Sequence, residues 1–97
     1  MGRPEAKIEN YLRRRVKETG GQYRKVGWIG RRGAPDDLVW WVWPQAALVE
    51  CKAEGKDVEP GSQQEREIRR FVDSGWPVYV VNSHADVDAM IEDVLGA

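Results

Sequence analysis

The sequence predicts an α/β domain in which a mixed β-sheet is flanked by helices, in the order α-β-β-β-α-β-α. Three observations carry this. Apolar residues recur at helical spacing in segments 4–18, 62–74 and 84–95. Two short apolar runs, 37–43 and 46–52, are separated only by Pro44-Gln45, as in an antiparallel hairpin. A helical crossover from 52 to 78 favours a later strand lying parallel to its partner.

The elements follow in order. Pro4 suits a first helical turn, Ile8, Leu12 and Val16 repeat at i, i+4, i+8, and Gly20-Gly21 stop the helix. Residues 22–29 read as a strand, with Tyr23, Val26 and Trp28. Gly30 to Pro35 form a loop, and Pro44 ends the aromatic strand 37–43. A polar loop runs from Gly55 to Gly61. The second helix carries Ile68, Phe71 and Val72 and stops at Gly75. Pro77 opens the strand 78–82, and Ser83 caps the last helix.

With 97 residues the chain has room for one domain, spanning 1–97. Neither an apolar run long enough to cross a bilayer nor a secretory leader is evident. The single cysteine excludes a disulfide framework and a cysteine metal cluster, so a reducing cytoplasm is the expected setting. The formal charge is −1, but it is unevenly spread. Residues 1–33 hold ten Lys and Arg against three Glu, and the remainder is acidic. A basic segment can neutralise phosphates, while an acidic one can gather cations.

Glu50 and Lys52 lie two apart on an apparent strand and therefore share a face. Hairpin pairing that sets 36–38 against about 51–53 brings Asp36 beside them. Two clustered carboxylates repel unless a cation or a proton joins them. With no His or Cys cluster present, a hard cation such as Mg²⁺ is the natural occupant. Asp37 is expected to point away from Asp36, to the surface or rim. On the first helix Glu5 and Glu9 both fall on the apolar side or its margin, and either one can salt-bridge to a neighbouring base such as Arg13. Gln64 shares the face of Ile68 and Phe71, whereas Gln63 faces solvent. Arg31 and Arg32 precede Gly33 in a loop leading into Asp36, which suits them to phosphate contact. Trp40, Trp41 and Trp43 put aromatic surface on both faces of their strand, so at least one can enter a subunit interface. His84, the only histidine, reads as structural or surface, which leaves no histidine-based catalytic dyad.

Pro35-Asp36, then Glu50-Cys51-Lys52, resembles the PD-(D/E)xK nuclease superfamily with its restriction-endonuclease-like core. Gly33-Ala34-Pro35-Asp36, Gln64 on the following helix and an acidic first helix before Gly20-Gly21 are most similar to the VRR-NUC (virus-type replication-repair nuclease) branch. This resemblance implies a Mg²⁺-dependent DNA nuclease, with Mn²⁺ able to substitute. It implies catalytic Asp36, Glu50, Lys52 and Gln64. The metal ligands would be Glu9, Asp36, Glu50 and the backbone carbonyl of Cys51, with Glu5 the alternative helix carboxylate. Lys25, like Arg31 and Arg32, becomes a DNA contact. A homodimer acting on branched or flapped DNA in phage or bacterial replication, repair or recombination is the implied setting. The competing class is a DNA-binding or assembly module that keeps the fold without catalysis; Asp36-dependent metal binding separates the two.

Overall fold

A computed structural model describes residues 3–96. Its elements are α1 (Ala6–Glu18), β1 (Gln22–Lys25), β2 (Asp37–Trp40), β3 (Ala46–Cys51), α2 (Gln63–Asp73), β4 (Val78–Val81) and α3 (His84–Leu95). The order is the expected one. The strands form one sheet, β1-β2-β3-β4, antiparallel except for the parallel pair β3/β4. The 37–43 strand ends at Trp40 because residues 41–45 turn: the Trp41 N–H donates to the Gln45 carbonyl and the Gln45 N–H to that of Val42. The expected strand 22–29 likewise ends at Lys25, although the Val26 N–H still donates to the Asp36 carbonyl.

The hairpin register differs from expectation. The turn consumes five residues rather than two, so Asp37 pairs with Val49 and Leu38 with Leu48. One step along, Asp36 falls opposite Glu50, so the juxtaposition expected of those two survives the correction.

Alternation along the strands separates two faces. Val39, Ala47, Val49, Cys51 and Val81 pack with Ile8, Leu12 and Val16 of α1 and Val87, Met90 and Ile91 of α3. This is the hydrophobic core. Ser83 caps α3 by accepting from the Asp86 N–H, and Ser62 caps α2 by accepting from that of Glu65.

The other face is less completely covered. α2 lies over it beside β4. At its far end, Trp40, Trp43, Pro44, Trp76 and Pro77 line an open apolar cavity of about 520 Å³. Trp43 is 78% exposed there. Trp41 instead turns inward, packs against the core and donates its Nε1–H to Thr19. His84 stacks on Tyr11 at 3.8 Å between ring centres, in keeping with a structural role.

Candidate active site

β3 is central, and its C-terminal end delivers Glu50, Cys51 and Lys52 in succession. Glu50 is only 6% exposed, and its Oε1 has no hydrogen-bond partner. A buried, unpartnered carboxyl oxygen is costly. Burial raises the Glu50 pKa to about 7, and the negative charge of Asp36 adds to the effect. Lys52 Nζ stands 4.0 Å from Glu50 Oε2 and opposes it. The Gln64 amide is near enough to favour the ionised carboxylate as well.

Gln64 reaches this position because of Gly33. Its φ is +89°, and a Cβ there would stand 2.9 Å from Cα and N of Gln64. Only glycine allows the Gly33-Ala34-Pro35 segment to lie against the first turn of α2. Trp28 fixes the same segment, donating its Nε1–H to the Pro35 carbonyl at 2.7 Å and packing against Phe71 of α2. Asp36 therefore leaves a clamped loop. Its side chain is exposed, and among the described residues no hydrogen bond or ion pair engages it.

Asp37 departs from expectation. Rather than lying at the surface or rim, it is fully buried on the α1 side of the sheet. The reason is a set of donors distant in sequence. Tyr23 donates its hydroxyl to Asp37 Oδ1 at 2.6 Å, and the Cys51 thiol lies 3.4 Å from Oδ2. Lys25 Nζ is 3.8 Å from Oδ1. Burial nevertheless raises the Asp37 pKa to about 6. The same burial beside Asp37 pushes the Cys51 and Tyr23 groups far up, keeping both protonated.

Glu9 arrives from α1. Its Oε2 accepts from Lys25 Nζ at 2.5 Å, and Arg3 is 3.9 Å from Oε1. Burial disfavours its charge, but the Lys25 ammonium and the nearby Arg3 guanidinium outweigh that and lower its pKa. Glu5 also borders the pocket, paired with Arg3 at 3.4 Å. Neither glutamate pairs with Arg13 among the described residues.

Glu9, Asp36, Asp37, Glu50 and Cys51 thus border one small polar pocket at the end of the sheet, with Lys25 at its edge. The tightest of its ligand-bearing groups is Glu9, Asp37 and the Cys51 thiol, whose atoms lie within 4.8 Å of one another. Tyr23 and Asp37 escaped sequence reasoning as site residues. Tyr23 shares a strand face with Lys25, and this was the one available signal. Glu67 was also unforeseen: it is 5% exposed on α2, with Arg31 at 3.6 Å and Arg70 at 3.3 Å. Arg31 is therefore partly committed to the protein, whereas Arg32 is exposed.

This fold is a nuclease fold. A solved structure described as a VRR_NUC domain superposes with a TM-score of 0.82, covering 94% of this chain and 97% of that one at 36% identity. A protein of Acyrthosiphon pisum secondary endosymbiont phage 1, provisionally named nuclease p44, is 39% identical over 79 residues, 81% of this chain and 83% of its own length. No family model matches the chain. On these likenesses the chain belongs to the VRR-NUC family of nucleases. No helix among the described residues is long and apolar enough to cross a membrane.

Proposed function

We propose that the chain is a divalent-metal-dependent DNA nuclease that hydrolyses phosphodiester bonds at the pocket bordered by Glu9, Asp36 and Glu50. The observation that carries this is Glu50. Its Oε1 is buried and unpartnered, and the Asp36 charge acts on the same carboxyl. Such a pair is relieved by a hard cation with oxygen ligands. The residues present therefore fit Mg²⁺, with Mn²⁺ as a substitute.

Glu9, Asp36, Glu50 and the Cys51 backbone carbonyl are the ligands in this reading, with Glu5 an alternative to Glu9. Asp36 is preferred over Asp37 because the Asp37 oxygens are already engaged by Tyr23 and Cys51. When bound, the cation supplies Lewis acidity to the phosphate and to the attacking water. Lys52, partly exposed beside Glu50, orients that water and balances negative charge gathering on the phosphate. Gln64, clamped by the Gly33 contact, keeps the Glu50 carboxyl in place. Arg31, Arg32 and Lys25 hold flanking phosphates.

Two copies of the chain give this small nuclease a continuous DNA surface. The exposed apolar cavity around Trp43 and Trp76 is the face that a second copy would cover. Paired active sites suit branched or flapped DNA in phage or bacterial replication, repair or recombination, in a reducing cytoplasm. A monomeric mass by light scattering at micromolar concentration counts against the dimer.

The deciding assay incubates the protein with labelled duplex, flap, four-way junction and supercoiled plasmid, with Mg²⁺ or Mn²⁺. Cleavage by the parent and none by Asp36→Ala or Lys52→Ala is the expected result. Metal-independent or variant-insensitive cleavage would sink this site. Calorimetry showing no Asp36-dependent metal binding would instead favour a non-catalytic DNA-binding module, with Lys25 and Lys52 serving only as internal partners for Glu9 and Glu50.

A further inference from the structure

We propose that the groove between α1 and the edge strand β1 is a separate nucleic-acid contact, a track gripping successive phosphates of one strand as it leaves the acidic pocket. This rests on the reading of the chain as a DNA nuclease.

The groove has a volume of about 560 Å³, and Arg13, Arg14, Lys17, Gln22 and Tyr23 line it. Arg13, Arg14 and Lys17 are all exposed. None of the three has an ion-pair partner among the described residues, in a chain with 16 acidic residues. Their neighbour Arg15 behaves differently, bonding to Glu18 and Asp88. Three unpaired cations around one groove leave an attractive field for an anion.

Continuity with the pocket identifies the anion. Glu9, Arg13 and Lys17 stand at i, i+4 and i+8 along α1, so they follow one another along adjacent turns of one flank. Tyr23 and Lys25 alternate on the same face of β1. Glu9 and Lys25 belong to the pocket, and the next residues along each element, Arg13 and Tyr23, belong to the groove. Tyr23 joins the two: its hydroxyl holds Asp37, while its ring lies 5.2 Å beneath the Arg13 guanidinium. Stacking of this kind pre-positions the guanidinium without using its charge on a carboxylate. Four residues of helix rise about 6 Å, which suits Arg13 and Lys17 to adjacent phosphates of a strand. A strand whose scissile phosphate sits at the acidic pocket can thus continue directly into the groove.

The test measures binding of labelled single-stranded DNA and a labelled four-way junction in EDTA, across a salt series, for the parent and for Arg13→Ala/Lys17→Ala. The double variant is expected to bind about tenfold more weakly at moderate salt, with a log K against log[salt] slope shallower by roughly 2. Lys17→Ala alone should flatten the slope by about 1, and Arg13→Lys/Lys17→Arg should restore the parent slope. Hydrolysis of bis(p-nitrophenyl) phosphate with Mn²⁺, a diester too small to span pocket and groove, should be unchanged in every variant. Unchanged slope and affinity in the double variant overturn the track. An equal loss of small-diester hydrolysis and DNA binding also overturns it, because the substitutions then act through Tyr23 on the pocket. A parent chain that shows no salt-dependent DNA binding overturns the track too. If that chain still cleaves the small diester, the phosphodiesterase reading stands without it.

Discussion

Lys25 and Glu9 form the closest ion pair at the pocket, with Nζ 2.5 Å from Oε2. The same ammonium is 3.8 Å from buried Asp37. Lys25 thus neutralises the carboxylates on the α1 side of the site. A divalent cation drawing on Glu9 must compete with it. Lys25→Met is therefore expected to bind Mn²⁺ more tightly, by roughly tenfold if about one pK unit of competing interaction is removed. Its thermal stability without metal should fall. Calorimetric titration measures the affinity, and unchanged or weaker binding would show that Lys25 and the ion occupy different places.

Asp36 and Asp37 are adjacent in sequence but should fail differently. Asp37→Asn disturbs a buried network shared with Tyr23 and Cys51, and leaving its partners mismatched should cost about 1–3 kcal/mol of stability. Asp36→Asn alters an exposed side chain and should leave stability within about 0.5 kcal/mol while removing cleavage. Urea denaturation together with a cleavage assay separates the two. Equal destabilisation would contradict the burial difference.

Glu50 makes the metal-free protein sensitive to pH. Its carboxyl titrates near 4.5 when unstructured and at about 7 when folded. Between those values the native state holds the extra proton, so stability falls as pH rises and the penalty is complete above pH 7. Glu50→Gln should accordingly stabilise the metal-free chain at pH 8 by roughly 1–3 kcal/mol and much less at pH 5, while abolishing activity. Thermal melts in EDTA at the two pH values check this. A variant less stable than the parent at pH 8 would show that the ionised carboxylate is satisfied after all.

Gly33→Ala tests the clamp on α2. The new Cβ would meet the Gln64 backbone at 2.9 Å, in a conformation with φ of +89°. The expected cost is about 1–3 kcal/mol, and cleavage should fall because Gln64 moves away from Glu50. Cleavage rates compared under conditions where both proteins are fully folded isolate the second effect.

The order of elements was legible because each helical stripe and each strand run is a local pattern. Asp36 and Glu50 were legible together because a hairpin converts spacing along the chain into proximity. A turn of five residues instead of two leaves that proximity intact, since both placements bring 36 to the same sheet end. Asp37 was not legible. Alternation correctly separated it from Asp36, but a carboxylate on the opposite face of the strand from Asp36 reads as solvent-bound unless its donors are known. Those donors, Tyr23 and Cys51, each lie 14 positions away and meet it only through two pairings of the sheet. Glu67 was hidden for a similar reason, since Arg31 reaches it from a loop whose path depends on Gly33 and Trp28.

The turn at 41–45 also bears on how this nuclease tolerates change in its length. It lies at the end of the sheet opposite the pocket, and an added residue there can bulge outward without shifting Asp37 from Val49. The same addition within 46–49 has no such outlet. It would rotate every later side chain of β3 to the opposite face. Val49 would then fall opposite Asp36, and Glu50 would take the buried place of Cys51 beside Asp37 on the α1 side. Natural length variation in this family should therefore gather at the turn and spare the strand.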